Sequence, residues 1–153
     1  MISVVQTSTL FHLWPRLHHE ILRFLEVVPR GDLKARADGF AMDLGTTFRH
    51  IAEVEDYYRR LVLERDAPYR PLDPGEHADA AALRARLQTV FAATERLLEA
   101  SLVEALRERP VTTRYPARNA LEALMVCQLH TVHHRAELAG QLRALGADPG
   151  DWL

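Results

Sequence analysis

Residues 119–146 read NALEALMVCQLHTVHHRAELAGQLRALG, and the fold is decided by how this stretch is read. Asn119 followed three residues later by Glu122 is a capping-box-like start, and Gly146 is the residue type that ends helices in the left-handed conformation. One helix is therefore expected to run from Asn119 to Leu145. Immediately before it, Arg109 to Arg118 holds two prolines and the β-prone run Val111 to Arg114, which suggests an ordered loop with a brief extended pair. Further back, Asp79 to Arg107 predicts a strongly amphipathic helix, with Leu83, Leu87, Val90, Phe91, Thr94, Leu97, Leu98, Ser101 and Leu102 on its inner stripe. Asp43 is a good N-cap for a helix reaching about Arg65, before the breakers at Pro68 and Pro71 to Gly75. Its inward arc carries Leu44, Ile51, Val54, Tyr58, Leu61 and Val62; Arg49, Glu53, Asp56 and Arg60 fall opposite, and His50 borders the apolar side. The first helix is expected from about Ser8 to Val28, ended by Pro29-Arg30-Gly31, with Pro15 marking either a kink or a first turn. Four helical segments and no useful strand runs make the chain an all-α four-helix bundle.

The totals agree with one domain spanning residues 1–153. A chain of 153 residues is large enough to bury a single core. Its 48% hydrophobic and 26% charged residues are the balance of a globular protein. No run approaches the roughly 18 apolar residues of a membrane span, and Met1 to Leu13 lacks the basic region and cleavage site of a secretory signal. A lone Cys127 points to a reducing compartment, so a cytoplasmic location is expected. Nineteen basic against twenty-one acidic residues, without a basic block, exclude nucleic acid as an expected partner.

Histidine, at eight residues, carries the functional signal. His130 and His134 lie four apart on one helix, about 40° apart around its axis, so both imidazoles can reach one ion at about 2.1 Å. His50, beside the inward arc of a second helix, supplies the third ligand that a site in a bundle core requires. Each histidine is equally readable by itself as an ordinary core or surface residue. Several other chemistries are excluded by residue type. His130-Thr131-Val132-His133-His134 has threonine where a zinc peptidase needs its glutamate. Glu-x-x-His pairs of di-iron bundles, Gly-x-Ser-x-Gly turns and phosphate loops are all missing.

Taken with Thr46 to Glu53 around His50, the His130-x-x-x-His134-Arg135 segment and the close Leu142-Arg143-Ala144-Leu145-Gly146, the chain resembles the DinB-like (DinB/YfiT-like) family of metal-dependent enzymes over nearly its whole length. That resemblance implies an up-down-down-up four-helix bundle, commonly a homodimer, with one divalent ion held by His50, His130 and His134 and not by His133. The chain departs from the family where Arg-Gly-Gln often follows the last ligand, reading Arg135-Ala136-Glu137. Characterised relatives include transferases and isomerases that use low-molecular-weight thiols.

Three neutral imidazoles leave an open coordination position, as in catalytic zinc sites. Zinc or nickel is the expected ion, with iron, manganese and cobalt as further candidates. The expected activity is that of a thiol S-transferase or hydrolase on a small molecule; the alternative is a non-catalytic, stress-associated dimer that binds metal or a small ligand. His133, Glu137, Gln141 and Asp43 are candidates to orient the ligands. Trp14, His18 and the Arg109 to Arg118 loop are the expected pocket lining, and Cys127 is expected to be a buried inert thiol.

Overall fold

The computed structural model describes residues 5–76 and 78–151, so the extreme ends of the apolar N-terminal stretch and of the C-terminal tail lie outside the described residues. Six α-helices form the structure: α1 (Thr7–Leu10), α2 (Trp14–Glu26), α3 (Leu44–Glu64), α4 (Ala80–Ala100), α5 (Val103–Glu108) and α6 (Ala120–Ala144). Four are long, and no strand occurs among the described residues.

Local chemistry sets the ends of three long helices. Asp43 accepts from the Thr46 N–H at 2.7 Å, Asp79 from Ala82 at 2.8 Å and Asn119 from Glu122 at 2.9 Å. Each cap satisfies an N–H that the helix cannot pair internally and stabilises by about 1 kcal/mol. The Glu122 carboxylate reaches back past Asn119, accepting the Arg118 N–H at 2.8 Å. At the other end of α6, Gly146 at φ +83° lets its N–H donate to Arg143 and the Ala147 N–H to Leu142, the paired bonds of a Schellman close. The expected extended pair is present as a bridge between Pro110 and Asn119.

Two expected helices are broken. The Ser8 to Val28 segment divides at residues 11–13, and Pro15 sits in the first turn of α2, where its missing N–H costs nothing. The Asp79 to Arg107 segment stops at Ala100, because Ser101 is extended and its carbonyl accepts from the Thr7 N–H at 3.1 Å. Val103 then donates to the Val5 carbonyl, so the N-terminal segment pairs with the break. Ser101 and Leu102 accordingly sit half-buried at the interruption, outside the continuous stripe.

The polar arc of α3 also differs from expectation. Arg60 is buried, donating to Asp56 Oδ2 and the Pro68 carbonyl, both at 2.9 Å. Glu53 accepts from the Leu72 N–H at 3.0 Å. The segment after α3 folds back over this arc, a cover that the helical wheel does not contain.

The core has two halves. In one, Trp14 and Leu17 from the start of α2 meet Tyr58 and Leu61 from the end of α3, Leu98 from the end of α4 and Leu124 from early α6. In the other, Phe24 and Leu25 meet Phe48 and Ile51, Leu83 and Leu87, and Leu138 and Leu142. On α6, His130 and His134 lie between these halves in sequence, whereas His50 on α3 falls between Phe48 and Ile51 of the second half.

Candidate metal centre

His50 comes from α3 and His130 and His134 from α6. The Nε2 atoms of His50 and His130 stand 3.0 Å apart, and the ring centroids of the three pairs are 4.3 to 4.8 Å apart. One ligand atom from each lies within 4.8 Å of the others, so the group can hold a metal ion. Two nitrogens bound at about 2.1 Å in tetrahedral geometry would be roughly 3.4 Å apart, close to the observed spacing.

Protonation agrees with that use. His134 Nδ1 lies 2.5 Å from Glu137 Oε2. A carboxylate accepts, so Nδ1 carries the proton and Nε2 keeps its lone pair. Glu53 stands 3.7 Å from His50 Nδ1 in the corresponding position. Burial, reinforced by His134, His50 and His133, pushes the His130 imidazole down to about 3. His134 is lowered too, chiefly by burial, against the opposing pull of Glu137. Neutral imidazoles are the form that binds metals. The buried Nδ1 of His130 has no partner among the described residues.

A second group, His133, His134 and Glu137, also meets the distance requirement. It spans one turn of a single helix, its His133 side chain is 66% exposed, and both histidines already pair with Glu137. The three-imidazole group combines two helices and partial burial, and is the better-built centre.

The remaining sequence candidates separate clearly. Glu137 touches a candidate ligand; Asp43 is occupied as a helix cap, and Gln141 is buried against the Ala37 N–H at 3.3 Å. Cys127 is buried and its thiol is pushed well up by burial and then by Glu55, which leaves it un-ionised. Tyr115 from the Arg109 to Arg118 loop does line the cavity beside His50 and His130. Trp14 and His18 do not, since both point into the core.

His18 instead belongs to a buried array that the sequence reading missed. Its Nδ1 bonds Glu95 at 2.7 Å, and its Nε2 approaches Glu55 at 2.9 Å without the alignment of a good hydrogen bond. Arg135 similarly pairs with buried Glu20 at 2.9 Å. A signal existed: His18 is four residues from Trp14 and three from Ile21, and Glu55 is four from Ile51 and three from Tyr58, which places both on inner stripes.

Two spaces adjoin the histidines. A partly enclosed cavity of about 260 Å³ lies against His50 and His130, and a more open cleft of about 500 Å³, lined in part by Arg49, Glu53 and Asp73, lies against His50. No described helix is long and apolar enough to cross a membrane. No curated protein matches the chain. A family model described as the DinB superfamily matches residues 14–138, a span that includes all three histidines.

Proposed function

The chain belongs to the DinB superfamily, and from that premise we propose that it is a metal-dependent enzyme acting on small molecules, with His50, His130 and His134 as the ligands of one divalent ion. The observation that carries this reading is the convergence of three imidazoles, from two helices, at a point flanked by two spaces. Zinc or nickel suits the donor set best, with iron, manganese and cobalt also compatible. When bound, such an ion supplies Lewis acidity and lowers the pKa of a water or thiol, the chemistry of a hydrolase or a thiol S-transferase.

The chain's own residues define the rest of the site. Glu137 holds the His134 ring and fixes its tautomer, and Glu53 is placed to do the same for His50. Val54 and the surrounding tyrosines keep bulk water from one side of the histidines, whereas Arg49 offers a cation to a polar co-substrate on the other. A low-molecular-weight thiol is the co-substrate favoured by this polarity difference. The division of the core supports an up-down-down-up course, since the starts of α2 and α6 meet the ends of α3 and α4. Exposed Met125, Leu129 and Val132, spaced along one side of α6, support a homodimer.

The test is a conjugation screen with zinc-loaded, tag-free protein, a generic aromatic electrophile and several bacterial thiols, run beside a thiol-free hydrolysis assay. Product should form with the loaded protein and disappear after chelation and in His50→Ala. Equal product with chelated protein would overturn the catalytic reading, and metal uptake without any turnover would leave a binding protein.

A further inference from the structure

All four tyrosines of the chain, Tyr57, Tyr58, Tyr69 and Tyr115, line the cavity of about 260 Å³. They arrive from separate places: two from α3, one from the segment folded back over it and one from the loop before α6. Tyr57 is the hub, with Tyr58, Tyr69 and Tyr115 steeply inclined to it at centroid distances of 5.1, 5.9 and 6.1 Å. Such edge-to-face arrangements are the favourable geometry for aromatic rings. His50 and His130 contribute to the same wall.

The hydroxyls differ in a way that matters for binding. Tyr57 shares a hydrogen bond with Thr113 Oγ1 at 2.9 Å, Tyr69 donates to Glu53 at 2.5 Å, and Tyr115 accepts from Arg114 at 3.1 Å. Tyr58 is only 3% exposed, and its hydroxyl has no hydrogen-bond partner among the described residues. A hydroxyl on the cavity lining that no protein group occupies can donate to a ligand acceptor atom. No carboxylate, guanidinium or ammonium lines this cavity among the described residues; Arg49, Glu53 and Asp73 lie in the open cleft instead. A dry cavity of about 150 Å³ already admits benzene, so this one has room for a single substituted ring.

We infer that the tyrosine-lined cavity binds one uncharged aromatic ring carrying a hydrogen-bond acceptor, with Tyr58 donating to that acceptor and the ring held beside His50 and His130. The inference deepens the proposed function by naming the class of its acceptor substrate. Binding itself does not require the ion, which allows the two readings to fail separately.

The test measures affinities of acetophenone, ethylbenzene and cyclohexyl methyl ketone by NMR titration of full-length, chelator-stripped protein, repeated with zinc. Acetophenone should bind at least about 5-fold more tightly than the non-aromatic ketone. Tyr58→Phe should weaken acetophenone by about 5-fold, the worth of one hydrogen bond, and leave ethylbenzene unchanged. Tyr115→Ala, on an exposed loop, should weaken both aromatic probes by roughly 3- to 10-fold. Equal affinity for the two ketones, no aromatic binding, or an unaltered acetophenone affinity in a folded Tyr58→Phe protein would overturn the inference, whatever the metal content.

Discussion

Glu137 determines which nitrogen of His134 faces the other two histidines, because its carboxylate accepts a hydrogen bond from Nδ1–H, with the nitrogen 2.5 Å away. Removing it in Glu137→Ala should lower metal affinity by about 10- to 100-fold, measured by competition with a chelating dye. Glu137→Gln keeps an acceptor oxygen and should lose much less. His133→Ala should leave the affinity unchanged. Elsewhere, His18 is stacked on Phe91 at 4.0 Å and held between Glu55 and Glu95. Burial alone would lower its pKa, but the two carboxylates outweigh this and raise it to about 9. The folded state therefore binds the proton more tightly than the unfolded chain. The resulting stability, roughly 3 kcal/mol, is fully present below about pH 6.5 and is lost as pH rises through about 9. Thermal unfolding should show this alkaline loss in the wild type, and it should vanish in the double variant His18→Leu/Glu55→Leu. A midpoint unchanged from pH 7 to 10 would contradict the buried charge. The proximity of His130 and His134 was legible from their spacing because both share one helix face. The His18 array was not, because each of its members is an isolated polar residue on an otherwise apolar stripe and only packing joins them.

Among the elements, α3 presents His50 two turns after its cap. Asp43→Ala should destabilise the protein by about 1 kcal/mol in chemical denaturation. Gly45, in the first turn of the same helix, donates to the Leu33 carbonyl at 2.7 Å, and an added Cβ would meet Leu33 Cβ and O at 3.0 Å. Gly45→Ala should consequently destabilise, although alanine gains about 1 kcal/mol in intrinsic helix propensity. A stabilised Gly45→Ala protein would mean that the Leu33 segment yields easily. The caps Asp43, Asp79 and Asn119 could be read from sequence because each acts on an N–H three residues away. The break at Ser101 could not. Its cause is a hydrogen bond from Thr7, 94 positions earlier by residue number, and no local preference of Ser101-Leu102 announces it.

Across the whole molecule, the three histidines bridge α3 and α6, two long helices that pack against each other. An ion bound there should stabilise the fold by mass action, by about 2.7 kcal/mol at a free concentration one hundred times its Kd. For a chain of this size that corresponds to a rise in Tm of roughly 5–10 °C, which zinc should produce in the wild type and not in His50→Ala. The all-helical architecture was legible because long amphipathic segments repeat their pattern many times. The tyrosine cavity was not, since positions 57, 58, 69 and 115 acquire a common purpose only after the loops fold back over α3. The most direct test of the central claim is elemental analysis of tag-free protein expressed with ample zinc and nickel, with His50→Ala and His134→Ala prepared in parallel. Close to one tightly held divalent ion per wild-type chain is expected, with a large loss in both variants. Equally low metal in all three folded proteins would contradict the claim.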